Sequence, residues 1–173
     1  MAKTLHRILL GAAAATAAGS QAFAQASSSQ TTSGSVTIFQ PITLAKNTDL
    51  KFGVIVRPAS GSGTVTVSTA GARSISGSGA LLNDVSPTAA TFTASGEGGQ
   101  AFSINVPASF TMTGPSSSTL NVALTASAAT ATMSGALGAT GSATFSVGGS
   151  ITVASTTVNG AYSGTFTTTV TYN

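Results

Sequence analysis

The chain has 173 residues, of which only 5% are charged, with no cysteine, a single histidine and a formal net charge of +3. Without cysteine the fold has no disulfide staple and must rest on packing and strand pairing. Without clustered Lys and Arg it has no electrostatic footprint for nucleic acid, and a surface so poor in charge repels its own copies weakly, which favours assembly or surface deposition.

The first element in chain order is a targeting segment. Lys3 and Arg7 precede an apolar run from Ile8 to about Ala18, and small residues close at Ala22-Phe23-Ala24; this is the three-part layout of a secretory signal. The run falls short of the about 20 residues that a membrane-spanning helix needs. Cleavage is expected between Ala24 and Gln25, leaving a product without a transmembrane helix, in the periplasm, on the cell surface or secreted. Lys3, His6 and Arg7 depart with the signal, so Lys46, Lys51, Arg57 and Arg73 face Asp49, Asp84 and Glu97, a formal charge of +1. Residues 25–34 (QASSSQTTSG) are wholly polar and read as a flexible tail, followed by a single domain over 35–173.

Order is expected from Ser35. In SVTIFQPITL, Val36, Ile38, Gln40, Ile42 and Leu44 share one parity, which predicts a strand, with Pro41 marking an edge or bulge. DLKFGVIV and TVTVS follow as strands around the loop PASGSG, and then AATFTAS, QAFSINV, SFTMT, TLNVALTA, SATFSV and SITVA. The Ala-rich stretch 126–140 lacks a helical stripe and reads as irregular or weak strand. Asn159-Gly160 suits a type I′ hairpin turn before a final strand AYSGTFTTTVTYN, in which Tyr162, Phe166, Val170 and Tyr172 share a face. About ten short strands with no convincing helix predict an all-β, immunoglobulin-like antiparallel sandwich.

Catalytic equipment is sparse. Beyond residue 24 there is neither histidine nor cysteine, and the three acids are far apart in sequence beside turn residues. No nucleophile–base pair, zinc set, calcium loop or phosphate-binding glycine motif can be assembled, so no catalytic, metal or cofactor site is expected. Phenylalanines occur about one per strand and there is no tryptophan, which suits core packing better than a sugar-stacking platform. A small outer-membrane barrel would need lipid-facing apolar bands, whereas one face of the last strand is nearly all Thr.

Two resemblances follow. TLAKNTDLKFGVIV, GTVTVSTAGARSISG, ATFTASGEGGQAFSINVP and the ending GSATFSVGGSITVASTTVNGAYSGTFTTTVTYN, in that order over residues 36–173, resemble the secreted bacterial family of domain of unknown function 4402. More loosely, the chain resembles chaperone-usher pilins of the spore-coat-protein-U type. There the C-terminal strand alternates apolar residues, ends on a penultimate aromatic and carries a glycine fourteen positions from the end, as Phe166, Val170, Tyr172 and Gly160 do here. That resemblance implies a structural surface protein whose sandwich pairs with a strand from a neighbour, its partners being itself or a periplasmic chaperone. The tail 25–34 has no large apolar side chain, so a donated strand would be Val36 to Leu44. Its residues Val36, Ile38, Ile42 and Leu44 would supply at most roughly 6–12 kcal/mol. Folded on its own domain, the same segment is an ordinary first strand. The other reading is a module binding an extracellular polysaccharide or other ligand through loops at one end.

Overall fold

The computed structural model describes residues 27–82 and 86–173, in a chain that divides into two units, Met1–Val36 and Thr37–Asn173. Of the first unit, residues 27–36 are described; they are exposed and carry no secondary structure. The expected cleavage point at Ala24 and Gln25, and Asp84, lie outside the described residues.

The second unit is all-β and antiparallel, as expected. Its strands are β1 (Thr43–Thr48), β2 (Ile55–Val56), β3 (Ser62–Val67), β4 (Arg73–Gly77), β5 (Ala80–Leu81) and β6 (Ala90–Glu97). They continue with β7 (Ala101–Asn105), β8 (Ser109–Thr113), β9 (Thr119–Ala126), β10 (Thr130–Thr132), β11 (Thr140–Ala154) and β12 (Thr169–Tyr172). The 15-residue β11 organises the rest. Its first half pairs with β6, which pairs in turn with β1; its second half pairs with β3 and then β4, while β9 and β8 extend from its other edge. Strict alternation turns Phe145, Val147, Ile151 and Val153 inward and Ser142, Thr144 and Thr152 outward.

Two core clusters lie along this strand. The first joins Phe92, Ala94, Phe145 and Val147 to Phe102, Ile104 and Met133, so the β6–β11 face is covered by a separate sheet in which β7 sits between β10 and β12. Phe92 and Phe145 are directly opposed in register and stack at 5.2 Å, a pair worth about 0.5–1.5 kcal/mol beyond its burial. The second cluster joins Val65, Val67, Val122, Ile151 and Val153 to Phe52. Its cover is thinner: the two-residue strands β2 and β5, and chain without regular structure.

Several boundaries depart from the sequence reading, each for a local reason. The first strand begins at Thr43 rather than Ser35, leaving Val36 and Ile38 each 83% exposed; Pro41 has no N–H to give a ladder and restricts Gln40 before it. DLKFGVIV breaks at Gly53, whose φ of +74° is foreign to a strand, and keeps only β2 and a bridge from Lys51 to Thr88. SATFSV and SITVA are one strand, because Gly148 and Gly149 let β11 continue where a Cβ at 148 would sit 2.4 Å from the Val67 carbonyl oxygen. RSISG, unmarked in the sequence, forms β4 against β3. Asn159-Gly160 is not a type I′ hairpin: Gly160 has φ +140° but Asn159 is not at positive φ, and the last strand is confined to Thr169–Tyr172.

Candidate functional site

Above the second cluster the unit is open. A cavity of about 720 Å³ is floored by Met112, Leu120, Ile151 and Val153 and walled by two lengths of chain, residues 50–55 with Arg57 and residues 157–162. That volume lies within the range typical of binding clefts. No lining residue is acidic, and Val54 and Val158, on opposite walls, are exposed at 38% and 42%.

The first wall is held from behind. Arg73 on β4 donates to the carbonyl oxygens of Phe52 at 2.7 Å and Val54 at 3.3 Å, and also to that of Leu82, whose N–H donates to the Val54 oxygen. An apolar chain segment that the Gly53 turn prevents from pairing fully is thereby fastened by one guanidinium, whose fork of donors suits several carbonyls at once. Lys51 closes one end through its two backbone bonds with Thr88, and Arg57 reaches across the other to the Thr157 carbonyl at 3.0 Å.

The second wall is held by Tyr162. Its hydroxyl donates to the Val158 carbonyl at 2.8 Å and accepts from the Ser118 hydroxyl at 2.9 Å, while its ring lies where a Cβ on Gly114 would stand, 2.5 Å away. Gly160 packs equally closely, since a Cβ there would meet Pro115 Cγ at 2.3 Å. Beyond a bridge from Ser163 to Thr113, Phe166 rests its ring on Phe110 at 5.2 Å. Yet residues 158–162 and 164–168 make no backbone–backbone hydrogen bond to another described residue. The N–H groups of Phe52, Gly53 and Val54 make none either. Phe52–Val54 and residues 158–162 thus present unpaired backbone N–H groups beside an apolar floor, which is a template for a further strand.

The opposite end is closed by a buried polar clasp. Glu97, 2% exposed, accepts the Gln40 N–H at 3.2 Å on one carboxyl oxygen and the Gly138 N–H on the other. The Tyr172 hydroxyl accepts the Glu97 N–H at 2.6 Å and donates to the Gln40 carbonyl at 3.0 Å, and Thr140 donates to the Gln40 side chain at 2.9 Å. Gly96 makes this possible, because a Cβ there would stand 2.1 Å from that hydroxyl. Every polar group of the chain at Gln40 that the clasp touches is therefore engaged.

The sequence-predicted residues divide accordingly. Gly160 lines the groove; Phe166, Val170 and Tyr172 are half-buried on one parity and pack on the cores, Tyr172 in the clasp. Ile42 and Leu44 pack against the first cluster, whereas Val36 and Ile38 do not. Of the described acids, Asp49 is exposed and paired with Lys46, whose hydrogen bond and charge, with a lesser push from Lys51, hold its carboxyl below the ordinary carboxylate range. The sequence reading missed Arg73 and Tyr162 as the fastenings of the walls and Glu97 as the clasp. Lone residues in turn-rich contexts carried no signal beyond their rarity, although only four basic side chains follow residue 24.

No helix among the described residues is long and apolar enough to cross a membrane. No curated protein and no solved structure matches the chain. The model of one family, described as a domain of unknown function (DUF4402), matches residues 42–172, from the residue before β1 to the tyrosine of the clasp, and the chain belongs to that family.

Proposed function

We propose that this protein is an exported, non-enzymatic structural subunit, fimbrial-subunit-like, that works by strand pairing: its groove accepts an extended segment from a neighbour. The observation that carries the reading is the pair of walls whose backbone N–H groups lack partners among the described residues, beside an apolar floor. Inserting a strand satisfies both edges and covers Met112, Leu120 and the exposed Val54 and Val158. Further copies, or a periplasmic chaperone that fills the groove before assembly, are partners of the required kind.

The acid distribution supports the non-enzymatic half of the proposal. Asp49 and Glu97 sit beyond opposite ends of β1, with Glu97 engaged by backbone N–H groups. Phe39 is the one phenylalanine among the described residues left exposed, at 42%, and its ring packs edge-on against Tyr172. A stacking platform for polysaccharide is thus not supported.

The expected donor, Val36 to Leu44, is divided: Ile42 and Leu44 serve their own domain, Phe39 and Gln40 are held at the clasp, and the part left for donation is residues 27–38. Size-exclusion chromatography with light scattering, on chain purified from the periplasm, tests the proposal. The expected result is concentration-dependent association, or a co-purifying chaperone, that competes with added strand peptides. A bare monomer at every concentration that binds no extended peptide would overturn it.

A further inference from the structure

The groove is marked by charge at its ends as well as by apolar surface along its floor. Lys51 and Arg57 both line it and are both exposed. Six residues apart on one wall, they stand at most about 20 Å from each other. Among the described residues that line the groove none is acidic. Asp49 is bonded to Lys46 and feels Lys51 only as a lesser charge, and the partner of Arg57 is the uncharged Thr157 carbonyl. Behind the same wall Arg73 adds a third cation, spent on carbonyl oxygens. The chain's own segment left for donation does not complement this: residues 27–38 contain no charged side chain.

Resting on the strand-acceptor reading, we infer that the occupant of the groove is an extended strand of a different protein, with alternate apolar residues facing the floor and a carboxylate at each end, about six residues apart, against Lys51 and Arg57. Burial of the apolar residues and pairing of the backbone supply the affinity. The rim ion pairs, exposed and individually weak, set register and choose the partner.

The test uses the whole protein and four end-capped, dye-labelled peptides read by fluorescence anisotropy. Three share a Val-Thr-Val-Thr-Val centre flanked at both ends by Glu, Gln or Lys; the fourth is this chain's own segment 33–42. The Glu-flanked peptide is expected to bind about five-fold tighter than the Gln-flanked one. The Lys-flanked peptide should bind weakest, with the differences collapsing at about 1 M salt. A Lys51→Gln, Arg57→Gln double variant, checked for an unchanged melting temperature, should bind all three alike. Equal binding of the three by the native protein would overturn the charge selection while leaving the strand acceptor standing. Tighter binding of the chain's own segment would make a second copy the occupant and overturn the inference; binding of none would overturn both readings.

Discussion

The two ends of β11 pose the same problem and solve it differently. At Thr140–Val147 the apolar face is covered by the β7–β10–β12 sheet and sealed by the Glu97–Tyr172–Gln40 clasp; at Gly149–Ala154 it is covered by two-residue strands and a half-open groove. Phe102 and Val147 at the closed end are fully buried, whereas Met112 and Leu120 at the open end are only half-buried. The open end is therefore an unfinished layer rather than a weak core, because Val65, Val122 and Ile151 of its cluster are among the most deeply buried of the described residues.

The largest effect that would sharpen this contrast is truncation of paired positions at the two ends. Phe102→Ala is expected to cost about 3–5 kcal/mol in urea unfolding, as a buried aromatic does. Met112→Ala should cost only about 1 kcal/mol, since half of that side chain already faces the groove. Equal costs would mean that the groove is filled in the free protein. Next comes the clasp. Tyr172→Phe removes one donor and one acceptor from the Glu97–Gln40 network and is expected to cost about 1–3 kcal/mol, with faster amide exchange at Gln40 and Glu97 as its local signature. Unchanged exchange there would break the account of the closed end.

A smaller effect of opposite sign is expected at Thr168, whose buried hydroxyl has no partner among the described residues. Thr168→Val keeps the shape and removes the orphan, so it should stabilise by about 1 kcal/mol in the same unfolding assay; destabilisation would show that the hydroxyl is satisfied in solution. The smallest effect concerns Asp49. Its carboxyl is lowered by Lys46, so whatever stability it lends is present above the ordinary carboxylate range and lost as pH falls through its lowered value. Being fully exposed, it should make Asp49→Asn nearly silent in a pH series of unfolding midpoints.

Much of the paired framework was legible in the sequence because period-2 alternation reports a half-buried strand directly: SFTMT and TLNVALTA are β8 and β9 to the residue. The parity of Phe166, Val170 and Tyr172 likewise survives as half-burial against exposed neighbours. The walls of the open end were not legible, for a physical reason. DLKFGVIV and AYSGTFTTTV carry the alternation of strands, but Gly53 turns the first away from pairing, and the close contacts of Gly160 and Gly164 with Pro115 and the Thr111 carbonyl hold the second without a ladder. Alternation tells which face is apolar; whether a partner strand is present is decided elsewhere in the chain. The division of residues 35–44 at Pro41 has the same origin, since the pattern runs through the proline while the hydrogen bonds do not.

The most direct test of the central claim is amide hydrogen exchange, read residue by residue on the monomeric protein. The open-groove account predicts rapid exchange at Phe52–Val54, 158–162 and 164–168, beside slow exchange in β6, β9 and the paired lengths of β11, with protection of both walls appearing together when a strand peptide is added. Slow exchange of both walls in the free monomer would show that the sandwich completes itself and would contradict the account.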